Sequence, residues 1–379
     1  MAGQRGTGGG ASGRGDGVAL AWFVSAHGLG HAARAAAVMA ATSRLRPDLR
    51  HHVFTTVPRW FFDDSLPDSD VRIHRLDCDV GMVQRDALSE DVDGTVEALS
   101  SWLSASTALL DRASSRIVAA GCCAVIADIA PLGLAVARAV GVPAVLVENF
   151  TWDWIYHSYR NSELEKLGAR LAQWFELATL RIQAEPVCDR RVEAVQVPPA
   201  SRACRSGRDE VRRRLGVQRG QRLVLIGQGS TKPDRSRLTD LGLNPDKMLI
   251  VVPDPAATAM VAAGGILTTP AAGGLYHPDL VAACDLVIAK LGYSTVAEAV
   301  RAGTPLAYLR RPRFPESPIL EAFVRERLPS MPLSSDWLDD PASGCLLEGL
   351  TRSPRPAVDR GNGADQAAAH ILRHLRLRF

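Results

Sequence analysis

The run Lys290-Leu-Gly-Tyr-Ser-Thr-Val-Ala-Glu298 holds the densest chemistry of the chain. It follows Asp285-Leu-Val-Ile-Ala289, which reads as a buried strand, and it opens a helical pattern from Thr295 to Ala302. A strand turning through a glycine into a helix presents free backbone N–H groups and a positive dipole end, which suits phosphate. Lys290 adds a full charge, Gly292 the turn with Tyr293 beside it, and Ser294 and Thr295 their hydroxyls. Glu298, one turn into the helix, is placed to accept hydrogen bonds from ribose hydroxyls. The spacing makes a candidate donor site for a nucleotide-linked sugar.

A second constellation follows the first predicted strand, Val18 to Val24, in the turn Ser25-Ala-His-Gly-Leu-Gly-His31. Gly28, Gly30 and Ala33 fit a dinucleotide fingerprint, but that reading needs an acid ending the second strand about 20 residues on. Here the second strand ends Phe54-Thr-Thr56 and no acid follows before Asp63, which argues against NAD. A histidine in this turn suits a general base, because its reference pKa lies near neutrality. Asp128 ends the predicted strand Ala124 to Ala127 at the same carboxyl edge of the sheet, where it can orient His31 and stabilise the imidazolium. The plainer alternative makes His31 a helix-start residue bonded to backbone. His27, nearer the strand, is read as a structural or acceptor-side residue rather than a base. Trp152 and Asp153 are acceptor-side candidates, with Trp154 and Tyr156 near them, since aromatic rings stack on sugar faces. Gln84 and Asp86 join them from the loop after the third strand. The alternatives are core aromatics and ordinary loop polar groups.

The elements needed to position these residues alternate along the chain. In the first half, predicted strands at His52 to Thr56, Val71 to Leu76, Ala124 to Ala127 and Ala144 to Val147 are interleaved with helices. The helices are Ala32 to Ser43, Thr95 to Ala120, Leu132 to Val140 and roughly Ser162 to Leu180. The alternation restarts at Leu223 to Ile226 and continues through Met248 to Val252, Gly265 to Thr268, Leu286 to Ile288 and Pro305 to Leu309. Unbroken apolar strands imply burial on both faces, hence parallel sheets covered by helices. The fold class expected is α/β, with two doubly wound Rossmann-like domains facing a central cleft, and ligands beyond the carboxyl ends of the strands. The predicted bounds are a disordered tail over 1–17, an acceptor-side domain over 18–186 and a linker over 187–220 with one short helix. A nucleotide-sugar-binding domain spans 221–355. A terminal helix over 356–379, with stripe Ala368, Ile371, Leu372, Leu375 and Phe379, is placed to pack back on the first domain.

Composition is consistent with this. A chain of 379 residues exceeds the usual limit of a single core. A net charge of +3 with dispersed arginines gives no nucleic-acid signature. The most apolar stretch, Ala124 to Val147, carries Asp128, Arg138 and prolines, so no membrane span is expected. Seven cysteines without CxxC spacing point to a reducing, cytoplasmic location, with adjacent Cys122 and Cys123 read as core residues. Asp77-Cys-Asp79 is a weak Asp-x-Asp pair, and no metal site is expected. Nothing bears on oligomeric state.

These residues resemble the GT-B glycosyltransferases from Val18 onward. Nucleotide-sugar transferases of that fold, including plant-type glucosyltransferases, carry a Gly-His pair after the first strand, as in Gly30-His31. They also carry an Asp ending a strand before a Gly-x-Pro element, similar to Asp128 with Gly141-Val-Pro143. The resemblance implies a Gly-Ser loop at the donor phosphates, matched by Gly229-Ser230. It implies a donor motif matched by Lys290, Gly292, Ser294, Thr295 and Glu298. It also implies an acid reaching the sugar hydroxyls, matched loosely by Glu316 after Gly303-Thr-Pro305. A closer likeness is to the N-terminal, non-kinase region of plant L-arabinokinases. It rests on His27 to Ala32, Leu76-Asp-Cys78, Gln84-Arg-Asp-Ala-Leu88 and Asn149-Phe-Thr-Trp-Asp-Trp-Ile-Tyr156. The implied function is transfer of a sugar from a nucleotide diphosphate donor, UDP-linked by preference, to a hydroxyl acceptor of unknown identity. The reaction would be inverting, with no metal and no other cofactor. The alternative is a non-catalytic GT-B-like module that binds a sugar nucleotide and acts through partners.

Overall fold

The computed structural model describes residues 17–86, 88–227, 237–238, 244–254, 256–270, 274–357 and 361–378. The expected Gly229-Ser230 loop and Phe379 lie outside the described residues. The first sheet holds β1 (Ala19–Val24), β2 (Arg50–Thr55), β3 (Asp70–Arg75), β4 (Cys122–Asp128), β5 (Ala144–Glu148), β6 (Leu180–Ala184) and β7 (Val195–Val197). Their order is β3-β2-β1-β4-β5-β6-β7, and every pair is parallel. Side chains alternate across the sheet. Ala19, Ala21 and Phe23 enter one core, whereas Leu20, Trp22 and Val24 enter the core on the other face. Helices cover both faces, which is why these strands are apolar throughout.

The second sheet holds β8 (Arg222–Ile226), β9 (Met248–Asp254), β10 (Val261–Ala263), β11 (Ile266–Pro270), β12 (Leu286–Lys290), β13 (Leu306–Leu309) and β14 (Ser330–Leu333). Its order is β10-β11-β9-β8-β12-β13-β14, parallel except for the β10–β11 hairpin. In each sheet the strand order reverses once, between β1 and β4 and between β8 and β12. Such switch points open a crevice at the carboxyl ends of the strands. His31 follows β1, Asp128 ends β4 and Lys290 ends β12.

Several expectations need correction. The first sheet continues past residue 186, because Val195–Val197, in the segment read as linker, pairs with β6. The helix Ser162–Phe175 stops short of Leu180, which instead opens β6. The long helix begins at Val92, earlier than Thr95, because the Asp91 carboxylate accepts from Gly94 N at 3.1 Å and caps it. Cys122 is buried but Cys123 is exposed.

The helix Gly363–His374 lies on the first sheet's side of the molecule. Ala364, Ala367, Ala368, Ile371 and Leu372 join the core that contains Ala32, Ala36 and Met39. Its start fits closely: a Cβ on Gly363 would fall 1.8 Å from the Pro198 carbonyl oxygen. Asn362 fixes the crossing, accepting from Ser201 N at 3.2 Å and donating to Ser201 O at 2.7 Å.

Candidate active site

The turn after β1 requires its first glycine. Gly28 has φ 77 and ψ 174, a conformation reserved for residues without a Cβ. The helix Leu29–Leu45 starts there and carries His31 in its first turn. Across the switch point Val24 is in register with Asp128, so strand pairing itself brings the two residues together. His31 Nδ1 donates to Asp128 Oδ1 at 3.1 Å, and both side chains are buried. Backbone strain follows the acid directly: Ile129, a β-branched residue, is held at φ 45.

A third partner was not foreseen. Arg34, one helical turn after His31, grips Asp128 with Nε at 2.8 Å from Oδ2 and Nη2 at 2.6 Å from Oδ1. Burial pushes the Asp128 pKa up, but Arg34 and the bond from His31 outweigh it and hold the carboxyl ionised. Burial also depresses the His31 pKa, against Asp128 and with Arg34. A carboxylate cannot donate, so Nδ1 carries the proton and the neutral ring keeps Nε2 as its basic atom. Helical spacing contained the signal for Arg34, since positions three apart share a face.

His27 packs beside the dyad. Its Nε2 faces Gln84 Nε2 at 3.2 Å, its ring meets Trp152 edge-on at 5.3 Å, and a Cβ on Gly81 would fall 2.3 Å from its Nδ1. Burial, with His31, Arg311 and Lys290 nearby, drives its pKa down to about 3, so it stays neutral. Gln84 is thus gathered at the site, but Asp86 is not. Its carboxylate is exposed and accepts from Leu88 N at 2.7 Å and Ser89 N at 2.9 Å, closing a local turn.

Trp152 is also corrected. At 1% exposure it presents no face to a sugar. It plugs the core beneath both histidines and donates Nε1 to Asp79 Oδ2 at 2.8 Å. Burial raises that carboxyl to about 7, against bonds from Trp152 and Ser25. Asp77 is exposed while Asp79 turns inward, so the Asp-x-Asp pair does not converge. Among the described residues no group of three or more metal-ligating side chains forms. Asp153 opens the helix Trp152–His157 with a buried Oδ1 that has no partner.

On the opposite side of the cleft, β12 ends in Lys290 and Gly292 precedes the helix Tyr293–Ala302 with no side-chain cap. Open space surrounds Gly292, where a Cβ would meet nothing within 4 Å. The two halves of the site face each other, because a Cβ on Gly30 would lie 3.6 Å from Ser294 Oγ. Burial and Arg311 lower the Lys290 pKa, Glu316 offsetting in part. Thr295 is partly exposed in the same first turn. Tyr293 is engaged elsewhere than at the expected phosphate position: its hydroxyl is 2.9 Å from Cys188 Sγ and its ring packs on Phe150 at 5.5 Å. It is an interdomain contact.

Glu298 differs most from expectation. Its Oε1 accepts from Arg202 Nε at 3.1 Å and Nη2 at 3.0 Å, and its Oε2 lies 2.6 Å from His277 Nδ1. Burial alone would raise its pKa, but Arg202 and His277 hold it at about 2. Arg202 also donates Nη1 to Ser65 Oγ at 3.1 Å, so this group braces the first domain against the second. Both oxygens expected to meet a ribose are engaged by the protein.

This architecture, two parallel sheets with their switch points across one cleft, is the GT-B fold of the nucleotide-sugar glycosyltransferases. A calicheamicin glycosyltransferase superposes with a TM-score of 0.61 at 16% identity, covering 94% of this chain and 97% of that one. A UDP-glucosyltransferase from Polygonum tinctorium gives 0.60 at 15% identity over 95% and 98% of the two chains. MurG of Acinetobacter baumannii gives 0.52 at 16% over 95% and 99%. Identities this low establish the fold alone. In sequence the chain is similar to L-arabinokinase of Arabidopsis thaliana, 27% identical over 369 residues, which cover 94% of this chain. It spans about a third of that relative, 34% of its length. No family model matches. No helix among the described residues is long and apolar enough to cross a membrane.

Proposed function

We propose that this protein transfers a sugar from a nucleoside diphosphate donor to a hydroxyl acceptor, without a metal and with inversion. The observation that carries the reading is the Gly30–Ser294 approach, which sets a neutral, Asp128-oriented His31 opposite an uncapped helix start. His31 Nε2 takes the acceptor's hydroxyl proton as the acceptor oxygen bonds to the anomeric carbon. The bond from that carbon to the phosphate oxygen breaks, and its electron pair leaves on the diphosphate. Lys290 and the N–H groups of the helix start stabilise the departing charge, the kind of electrostatic effect that dominates such transfers. They supply charge that a metal would otherwise provide. UDP is the first base to test, since one similar structure is a UDP-glucosyltransferase. Cytoplasmic residence is part of the proposal and is supported by seven free cysteines.

A second reading, a sugar-nucleotide-binding module without turnover, draws on the engagement of Glu298 by Arg202 and His277. A nucleotide-release screen over a donor panel, with and without cell extract as acceptor source and with EDTA, separates the two. Release that needs His31 and survives EDTA supports the transferase. Tight donor binding with no release from any donor leaves the module.

A further inference from the structure

Four polar side chains, from the loop before the long helix, the segment after the helix Trp152–His157 and the segment after β13, lie within electrostatic reach of one another. Glu90, Arg311 and Glu316 are 5%, 6% and 7% exposed. Tyr159 is half-buried. Each keeps a buried polar atom without any hydrogen-bond partner: Glu90 Oε2, Tyr159 Oη, Glu316 Oε2, and both Nε and Nη2 of Arg311. The remaining contacts are loose. Arg311 Nη1 stands 3.8 Å from Glu316 Oε1, and Arg313 Nε stands 3.8 Å from Glu90 Oε1, both beyond hydrogen-bond range. The Arg311 guanidinium lies 3.1 Å from the centre of the Phe314 ring, which fixes its plane. Lys290 is in register with Leu309 at the ends of β12 and β13, so Arg311, two residues further on, lies past the same carboxyl edge of the sheet as Lys290, and its charge is felt by Lys290 and His27.

A buried guanidinium with two unmet N–H groups is costly unless something else supplies acceptors. The unmet pair is the flat Nε–Nη2 edge, whose geometry matches the two oxygens of one carboxylate. The same edge is filled that way elsewhere in the protein. Arg34 uses it on Asp128, Arg46 on Asp48 and Arg310 on Glu321. Around Arg311 the unpaired atoms of Glu90 and Glu316 are acceptors, which suit hydroxyl donors and repel a doubly charged phosphate. The diphosphate has its own cradle at Lys290 and the helix start.

We propose that the transferred sugar is a hexuronic acid: Arg311 holds its carboxylate through the Nε–Nη2 edge, while Glu316 and Glu90 accept from its ring hydroxyls. This assignment rests on the nucleotide-sugar reading and names the substrate class of that site. Calorimetry with UDP, UDP-glucose and UDP-glucuronate tests it. The wild type should bind UDP-glucuronate about tenfold to a hundredfold tighter than UDP-glucose, the factor that charge-assisted hydrogen bonds give. Arg311→Leu should erase that preference while UDP itself still binds. Arg311→Lys, which keeps charge and fold but not the flat edge, should lose most of it. Equal wild-type affinities for the two sugar nucleotides would overturn the uronate assignment and spare the nucleotide-sugar reading. A loss of UDP affinity itself in Arg311→Leu would make Arg311 a phosphate ligand and also overturn it. A wild type that binds none of the three would overturn the UDP donor and the uronate assignment with it, and the nucleotide-sugar reading falls as well if no other nucleoside diphosphate binds.

Discussion

Asp128→Asn tests the dyad most directly, and Arg34 makes its outcome calculable. The carboxylate serves three donors, with Arg34 on both oxygens and His31 on one, in a site where the acid is 1% and the arginine 5% exposed. Asparagine offers a single acceptor oxygen and two N–H donors. If that oxygen turns to Arg34, the amide N–H faces His31 Nδ1, which must then accept, and the ring proton moves to Nε2. If it turns to His31, an N–H opposes the guanidinium. In either case the Arg34 charge loses its buried counter-ion, which costs about 3–5 kcal/mol. That is a large part of the roughly 5–15 kcal/mol that holds a domain folded. Urea unfolding should show the loss, and nucleotide release, measured where the variant is still folded, should fall by about 10²–10⁴ as general-base assistance disappears. Arg34→Met in the same background should restore much of the stability, because the pair leaves together, and none of the rate. A single variant as stable and as fast as wild type would refute both the buried ion pair and the oriented base.

Four further outcomes follow from the same contacts. Because burial depresses the His31 pKa below 6.5, kcat/KM should stay level as pH falls to 6.5 and decline only below it, which a pH–rate profile checks. His51, its pKa lowered to about 4 by burial and His52, accepts from Trp22 Nε1 at 2.9 Å. The unfolded chain protonates it below about pH 6.5 and the folded one does not, so His51 contributes a loss of stability of about 1.4 kcal/mol per unit as pH drops to about 4, in addition to the losses from His27 and His52. His51→Gln should reduce the slope by that share in urea titrations at pH 7 and 5. Leu372→Ala should cost about 2–5 kcal/mol, and Gly363→Ala should lower the melting temperature through its clash with Pro198; a melt unaffected by either would detach the terminal helix from the first core. Glu298→Gln should cost about 3–5 kcal/mol in unfolding experiments by stranding Arg202, and a neutral effect would remove the brace.

Strands buried on both faces announce themselves as unbroken apolar runs, so β1, β4, β5, β8 and β12 were legible. Edge strands β7, Val-Gln-Val, and β14, which contains Pro332, carry no such run because one side lacks a neighbour. His31 and Asp128 could be paired from sequence because each sits at a carboxyl end and their strands are adjacent at the switch point. Arg34 was within reach of the same reasoning through its helical spacing. Arg202, His277 and Arg311 were not, because tertiary folding delivers each from a different segment and no local period marks them. Trp152 shows the opposite failure: an aromatic at a strand end reads equally as a stacking platform or a core plug, and 1% exposure decides for the plug. Glu298 shows how far motif spacing reaches. The spacing fixes the residue's place on the helix, and the structure confirms that place, but what fills its oxygens is settled by Arg202 arriving from the crossing segment. A ribose bound there has to displace Arg202 or His277. In the proposed transferase, access to the nucleotide position is therefore coupled to the contact between Arg202 and Ser65, and through it to the fit of the two domains.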